Sequence, residues 1–386
     1  MSIKSQKEFQ PPVFLRGIER SPIRQITDRA KLGDISFGLG EPDLPTPDVI
    51  RREALRVIAE EQNGYTLQAG LPALRELVAQ DYSHLNLSND QVIITAGSQE
   101  AMYLALLTLI GAGDEVLIPN PGFVAYPTIT RMAGGVPTYY QLPAGSDFSF
   151  DLADFKRHLS PKTRIVVCTS PSNPTGRTLS RDELKVMAQA VEESGSGAFI
   201  ISDEIYRDLY YTGERPGSIS EFYPRTVVIS GLSKSMSMTG WRLGWILGDA
   251  TVIASAHLLH GYVTTCASTV SQKAALVAWS QEAVRARELH RNTFHERRDH
   301  LVALIRNECG LRCVTPEGAF YTMVDVSRYG SSMDVAEAML GAGVVTVPGN
   351  AFGSEGEGFL RCSFCADLPV LTEGVARMGA ALKNLR

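Results

Sequence analysis

The sequence lacks three features that would place it in common functional classes. No apolar run is long enough to cross a bilayer, and the first residues lack the basic, apolar and small-residue order of a secretory signal. The net charge of −5 creates no field that attracts a polyanion. The Gly-x-Gly-x-x-Gly turn does not occur, which argues against a dinucleotide-binding oxidoreductase. We therefore expect a cytoplasmic protein that binds neither membrane nor nucleic acid.

Cysteine and histidine are scarce, with six and seven residues. The few cysteines fit a reducing compartment. A zinc site built from two close cysteine pairs is an alternative, but each pair lies in an apolar segment, so we expect buried free thiols. The pairs are Cys309 with Cys313 and Cys362 with Cys365. His257 and His260 share a helical face, where we expect a hydrogen-bonded or exposed pair and no metal.

The sequence does contain a regular alternation of short β-branched runs and amphipathic stretches from about residue 90 onward. This alternation predicts parallel strands joined by crossover helices. The predicted strands are residues 91–95, 115–119, 136–142, 164–169, 198–202, 226–229 and 243–247. The helices predicted between them are residues 99–110, 124–132, 151–159 and 182–193. The expected fold class is α/β, with a large, doubly wound and mostly parallel sheet.

The last third of the chain has a different pattern, and a chain of 386 residues is long enough for two domains. Residues 251–307 are predicted to be helical and to lead into a smaller α+β domain. Its predicted strands are residues 311–314, 320–326, 344–347 and 359–364, and its helices are 334–340 and 371–385. We divide the chain into an N-terminal segment at 1–44 that packs on the small domain, a large domain at 45–284 and a small domain at 285–386.

Two turns at predicted strand ends carry residues that suit an anionic ligand. Gly97 stands between a strand and a helix, followed by Ser98 and Gln99, and the unpaired N–H groups of a helix start bind phosphate. An ordinary capped turn has the same pattern. Asn173 lies between two prolines beyond the strand at 164–169, where its amide can donate to an oxyanion. A simple turn after a buried strand is the alternative.

Asp203 ends an apolar strand, where an unpaired charge is costly, so its carboxylate is expected to bind a cation. A protonated pyridine nitrogen would meet that need, and Tyr206 could reach the neighbouring ring oxygen together with Asn173. A surface acidic pair that caps the strand is the alternative.

Lys234 is surrounded by small residues, in a pattern that suits an amine able to condense with an aldehyde. Gly231 and Ser233 are expected to give the amine room, and Arg242 to disfavour a free ammonium ion. A flexible surface loop with a solvated lysine is the alternative.

Together these segments resemble the class I and II aminotransferases, which are pyridoxal 5'-phosphate enzymes of fold type I. The resemblance covers nearly the whole chain. The motifs that carry it are the turn at Gly97, Asn-Pro-Thr-Gly at 173–176, Ser-Asp-Glu-Ile-Tyr at 202–206, and Ser-Lys at 233–234 followed by Thr-Gly-Trp-Arg at 239–242. Further similarities are Gly-Glu-Pro-Asp at 40–43, Tyr-Thr at 65–66, Pro-Glu-Gly-Ala-Phe-Tyr at 316–321, Pro-Gly at 348–349 and Leu-Arg at 360–361.

The resemblance implies a role for each matching residue. Lys234 would form the Schiff base with the cofactor, Asp203 would bind the pyridine nitrogen, and Tyr206 and Asn173 would bind the phenolic oxygen. The phosphate would be surrounded by Gly97, Ser98, Gln99, Ser233 and Arg242, and the side chain of Phe123 would stack on the ring.

For the substrate, the resemblance implies that Arg361 binds the α-carboxylate and that the backbone at Gly40 closes on it. Tyr65 would cross a dimer interface to the neighbour's phosphate, which implies a homodimer. The implied reaction is ping-pong transfer of an amino group from an L-amino acid to a 2-oxo acid. A carbon–sulfur lyase or a cyclopropane-amino-acid synthase of the same fold is the alternative. A non-catalytic sensor domain of a transcription regulator is less expected, because no DNA-binding module precedes the domain.

The substrate itself is less constrained by the sequence. A side-chain pocket near Leu15, Ile18, Ile23 and Tyr126 is expected to be apolar, which favours neutral or aromatic amino acids. Aspartate is the alternative, with Arg24 as the candidate for binding a distal carboxylate.

Overall fold

The structure is a computed structural model that describes residues 10, 18, 20–61 and 63–385. Its strands, in chain order, are β1 Ile35–Ser36, β2 Val92–Thr95, β3 Glu115–Asn120, β4 Val136–Gln141, β5 Thr163–Thr169, β6 Phe199–Asp203, β7 Thr226–Gly231, β8 Gly244–Leu247, β9 Tyr321–Asp325, β10 Val344–Val345, β11 Val347–Pro348 and β12 Phe359–Ser363. Its helices are α1 Pro22–Thr27, α2 Asp48–Ala59, α3 Pro72–Asp81, α4 Ser98–Leu109, α5 Ala125–Met132, α6 Leu152–His158, α7 Arg181–Glu193, α8 Ala250–Val263, α9 Thr269–Ala275, α10 Gln281–Glu308, α11 Ser332–Gly341 and α12 Leu368–Lys383.

A seven-stranded sheet forms the centre of the molecule, in the order β2-β8-β7-β6-β5-β3-β4. Strand β8 runs antiparallel to both of its neighbours, and every other pairing in this sheet is parallel. The predicted α/β fold with a large, mostly parallel sheet is therefore confirmed.

Both faces of this sheet are covered by helices, which explains why its strands, apart from the edge strand β4, are buried at nearly every position. Successive residues of a strand point to opposite faces. Ile165 and Val167 accordingly pack in one cluster with residues of α4, α5 and α8, whereas Val166 and Cys168 pack in another with residues of α6 and α7.

A second, smaller sheet is built from β11, β12 and β9 in antiparallel order. Strand β1 joins this part of the chain through a two-residue parallel pairing with β10. Helices α10 and α12 pack on each other beside it and contribute buried residues such as Leu301 and Val375 to one core cluster. The parallel pairing brings residues 35–40 to the edge of the large sheet, next to the loop that follows β7.

Two strand predictions in this region were wrong. Residues 311–314 do not form a strand, because only Cys313 makes an isolated bridge, to Val324. Residues 344–347 do not form one strand either, because β10 pairs with β1 whereas β11 pairs with β12. Helices α1, α2 and α3 were not predicted.

All six cysteines are unpaired in the structure. The Cys309 thiol faces the carbonyl oxygen of Val375, and that of Cys313 faces the carbonyl oxygen of Val302. Within residues 20–61 and 63–385 no group of three His, Cys, Asp or Glu side chains is placed to hold a metal ion. No helix in the same residues is long and apolar enough to cross a membrane.

Candidate active site

A cavity of about 410 Å³ lies at the carboxyl edge of the large sheet, where β5, β6 and β7 end. The predicted site residues that line it are Gly40, Ser98, Gln99, Phe123, Asn173, Asp203, Tyr206, Ser233, Lys234, Arg242 and Arg361. Gly97 lies directly behind the guanidinium group of Arg242. Tyr65 lies outside the cavity, with 88% of its surface exposed.

The amine of Lys234 is set between the large sheet and the N-terminal segment. It follows β7 and donates a hydrogen bond of 2.7 Å to the backbone carbonyl of Gly40. Burial lowers the pKa of Lys234 to about 8, and the positive charges of Arg361 and Arg242 lower it further to a lesser degree. Desolvation, rather than the expected neighbouring arginine, is therefore the main cause of the lowered pKa of Lys234.

Gly231 was expected to give the Lys234 amine room, but the missing side chain instead allows β7 and β8 to pair closely. A Cβ atom at this position would lie 2.8 Å from the carbonyl oxygen of Leu243 and 2.9 Å from the Cα atom of Gly244. Any side chain here would therefore push β7 and β8 apart.

The carboxyl group of Asp203 is almost completely buried at the end of β6. Its Oδ2 atom accepts a hydrogen bond of 2.7 Å from the Tyr126 hydroxyl, and its Oδ1 accepts one of 3.2 Å from the Ile205 backbone. Burial raises the pKa of Asp203 to about 6, although both hydrogen bonds act in the opposite direction. Tyr126 was expected only as an apolar pocket residue, and its contact with Asp203, across 77 positions in the sequence, was missed.

Two tyrosine hydroxyl groups meet on the opposite side of the cavity. The hydroxyl of Tyr206 lies 2.9 Å from that of Tyr321, and the Tyr321 ring lies 4.2 Å from the centre of the Arg361 guanidinium group. Burial raises the pKa of Tyr321 to about 12, so both hydroxyl groups keep their protons at neutral pH. The sequence analysis gave Tyr321 no role, because nothing local connects it to Tyr206.

Arg361, on β12, is buried and fixed in orientation. Its Nη1 donates to Asn173 Oδ1 at 2.9 Å and its Nη2 to the Gly38 carbonyl at 2.7 Å. The guanidinium plane lies between the rings of Tyr321 and Phe352, at 4.2 and 4.9 Å. Its Nε is buried and has no acceptor among the described residues.

The turn before α4 has the geometry of an anion site. Gly97 adopts φ +85°, and a Cβ atom there would clash with the Arg242 guanidinium group. The backbone N–H groups of Ser98 and Gln99 make no hydrogen bond within the described residues, as expected for the first turn of a helix. Arg242 is held beside this turn by hydrogen bonds to the carbonyl oxygens of Thr239 and Ala96, at 2.8 and 3.3 Å.

Comparison with known proteins gives a consistent result over almost the full chain. The family model for aminotransferase class I and II matches residues 33–377. The chain belongs to this family. It is 37% identical to an aspartate aminotransferase of Pyrococcus horikoshii, over 95% of this chain and 96% of that protein. It is 35% identical to aromatic-amino-acid aminotransferase 2 of Thermococcus litoralis, over 96% of this chain and 97% of that protein.

Solved structures of aminotransferases share the fold. The aspartate aminotransferase of Thermus thermophilus with maleate superimposes with a TM-score of 0.92 and 30% identity, over 97% of this chain and 100% of that one. The protein is thus a pyridoxal 5'-phosphate-dependent transaminase of fold type I. The aminotransferase names of these relatives favour amino transfer over the lyase and synthase alternatives.

The residues of this aminotransferase site fit the cofactor. The free N–H groups of Ser98 and Gln99, beside Arg242, suit a phosphate dianion. Asp203 is a buried carboxyl group whose two hydrogen-bond donors are neutral, which suits a cationic ring nitrogen. Lys234 provides an amine of lowered pKa in the same cavity.

Proposed function

We propose that this transaminase binds both substrates in turn at the cavity around Lys234 and transfers the amino group from an L-amino acid to a 2-oxo acid in a ping-pong sequence. The observation that carries the proposal is that one cavity contains the Lys234 amine, the Asp203 carboxyl group and the Arg361 guanidinium group. These are an amine, an acid and an anion-binding group; Asp203 and Arg361 are buried and Lys234 is half-buried.

Arg361 binds the substrate α-carboxylate in this proposal, because its guanidinium group is held in a fixed orientation and lines the same cavity as Lys234. Lys234 then moves a proton to and from the substrate Cα, since its low pKa makes the free amine available near neutral pH. The carbonyl of Gly40 accepts from Lys234 and so holds the amine beside the N-terminal segment.

Bound pyridoxal 5'-phosphate supplies an electron sink for the charge that develops at the substrate Cα. We assign Asp203 to its ring nitrogen, and Tyr206 with the Asn173 amide nitrogen to its phenolic oxygen. We assign Phe123, which lines the cavity and packs edge-on against Tyr126, to stacking on the cofactor ring. The groups assigned to the phosphate are Gly97, Ser98, Gln99, Ser233 and Arg242.

The wall of the cavity favours neutral or aromatic side chains, because Ile23, Leu39 and Met102 line it. Aspartate is the second candidate, since Arg24 also lines the cavity and its guanidinium group pairs only loosely, at 3.6 Å, with Asp28. Of the other pocket residues expected from sequence, Ile18 lines a neighbouring cavity of about 480 Å³ and Leu15 lies outside the described residues.

We further propose a homodimer, in which Tyr65 reaches the partner's phosphate. Apolar side chains are exposed on three adjoining elements: α2, the segment at 63–70 and α8. The most exposed are Leu55, Ile58, Tyr65, Leu67, Leu258, Tyr262 and Val263. Exposed apolar side chains that gather on neighbouring elements are typical of a subunit interface. We retain a cytoplasmic location as a proposal, in line with six unpaired cysteines.

The test combines a substrate screen with a lysine variant. We expect the holoenzyme to change its absorption spectrum on addition of single amino acids, and aromatic ones at lower concentration than aspartate. Lys234→Ala should lower transfer at least about a thousandfold. The control Lys185→Ala changes an exposed lysine on α7 and should leave the rate unchanged.

Release of ammonia and a 2-oxo acid without an acceptor would instead support the lyase alternative. Normal turnover in Lys234→Ala would contradict the assignment of the catalytic amine.

A further inference from the structure

A buried acid–histidine pair lies directly beneath the turn to which we assign the cofactor phosphate. Glu100, in the first turn of α4, and His260, near the end of α8, are 2.8 Å apart between Oε1 and Nδ1. His260 is completely buried and Glu100 nearly so. Neither residue lines the cavity described above, and the proposed chemistry uses neither.

The carboxylate of Glu100 is hydrogen-bonded to the turn at 96–99, to which we assign the cofactor phosphate. Its Oε2 accepts from the backbone N–H of Ala96, and its Oε1 accepts from the Thr264 hydroxyl as well as from His260. The Ala96 carbonyl in turn accepts from Arg242. The peptide groups on either side of Ala96 are therefore held by a carboxylate below and a guanidinium group beside them.

Both ring nitrogens of His260 face an oxygen atom. Nδ1 faces the Glu100 carboxylate and Nε2 faces the carbonyl oxygen of Gln68 at 2.9 Å. The Gln68 carbonyl only accepts, so Nε2 carries a proton, and Nδ1 carries one as well when the Glu100 carboxyl group is ionised. The hydrogen bonds from His260, Thr264 and Ala96 lower the pKa of Glu100 despite its burial, so the pair consists of one negative and one positive charge.

This charge balance matters because of where the pair lies. An unpaired carboxylate in the first turn of α4 would repel a phosphate dianion at the start of the same helix, in surroundings that water screens little. His260 cancels that charge. Its second hydrogen bond, to Gln68, also connects the phosphate turn to the segment that carries Tyr65.

We propose that His260 is a positioning residue that neutralises Glu100, so that the turn at 96–99 can hold the cofactor phosphate while Glu100 fixes its shape. The inference rests on the proposed phosphate site. It predicts an effect on the phosphate group of the cofactor that the rest of the cofactor does not share.

The experiment compares dissociation constants for pyridoxal 5'-phosphate and for pyridoxal, measured by absorbance with the full-length protein. His260→Gln retains one donor but removes the positive charge, and we expect it to weaken pyridoxal 5'-phosphate binding at least about tenfold. Pyridoxal binding should change by less than about twofold. The double variant Glu100→Gln/His260→Gln removes both charges and should recover most of the lost affinity.

His257→Gln is the matched control, since it changes the half-buried histidine one turn earlier on α8. It should leave both constants unchanged. An equal loss for the two ligands, or no recovery in the double variant, would show a purely structural role and overturn the inference.

If His260→Gln does not fold, Glu100→Gln provides the decision. This variant leaves His260 unopposed, so the affinity for pyridoxal 5'-phosphate should be retained or increased, and a selective decrease would overturn the inference. Wild-type protein that fails to bind the cofactor would instead contradict the proposed site.

Discussion

The Asp203 carboxyl group is buried at the end of strand β6. Its hydrogen-bond donors are a phenol and a backbone amide. Neither donor carries a charge that could offset the loss of hydration. Burial therefore keeps the pKa of Asp203 near 6, compared with an ordinary value of 3.8. In the role that we propose for it at the ring nitrogen, such a group serves the cofactor-bound enzyme but weakens the cofactor-free fold.

We predict that Asp203→Asn stabilises the cofactor-free protein at pH 8. Because the pKa in the folded state is raised, the folded state binds more protons than the unfolded chain between pH 3.8 and about 6, so stability falls as the pH rises through that window. The gain in the variant should be about 3 kcal/mol at pH 8 and should disappear below about pH 4. Urea unfolding at several pH values measures it, and a gain independent of pH would contradict the burial explanation.

Tyr321 combines two contacts that two substitutions can separate. Tyr321→Phe keeps the ring against Arg361 but removes the hydrogen bond to Tyr206. We expect kcat to fall about fivefold with little change in KM, corresponding to a hydrogen bond of about 1 kcal/mol. Tyr321→Leu also removes the ring and should raise KM for the amino acid, since Arg361 loses its support. Identical kinetic changes in both variants would argue against this division.

At the scale of secondary structure, α7 begins with a complete capping box. The Ser180 side chain accepts from the Glu183 backbone at 3.2 Å, and the Glu183 carboxylate accepts from the Ser180 backbone at 2.8 Å. We predict that Ser180→Ala lowers stability by about 1 kcal/mol and leaves transfer activity unchanged. Faster amide exchange in the first turn of α7 is the local measurement. Ser149→Ala, in an exposed turn, is the control and should have no such effect.

Most strands of the large sheet were predictable because they contain a short apolar run that ends at a polar or small residue, as β6 ends at Asp203. In the small domain the same rule failed at residues 311–314. That segment is as apolar as a strand but makes only a single bridge, from Cys313 to Val324. Its composition suits a strand, but the neighbouring chain does not pair with it over several residues. Thr346 divides the predicted strand at 344–347, because the chain changes sheets there.

The site residues could be predicted from local motifs, whereas the residues that support them could not. Lys234 and Asn173 stand in short patterns that suggest their chemistry. Tyr126, Tyr321 and His260 act through partners that lie 77, 115 and 160 positions away. A histidine on an apolar helix face gives no sign of its partner, because only the packing of α8 against α4 brings the two together.

At the scale of the whole molecule, cofactor binding and dimer formation should be linked. If Tyr65 completes the partner's phosphate site, dilution to monomers must weaken cofactor binding by the same factor by which the cofactor strengthens the dimer. We predict that the cofactor dissociation constant rises as the protein is diluted through its dimerisation range. Sedimentation and absorbance on the same samples measure both. Tyr65→Phe should reduce the dependence, and a constant affinity across that range would contradict a shared site.

Strand β8 begins at Gly244, which pairs with Thr95 at the end of β2 and with Gly231 at the end of β7. The loop that carries Lys234 and Arg242 therefore begins at Gly231 and ends at Gly244, two residues that pair with each other. The turn of Gly97 begins beside them, because Thr95 at the end of β2 pairs with Gly244 as well. We therefore expect the distance between the Lys234 amine and the Arg242 guanidinium group, to which we assign the cofactor phosphate, to depend on the register of β7 and β8. Insertion of one residue into this loop should therefore change the distance between the Lys234 amine and the Arg242 guanidinium group, whatever residue is inserted.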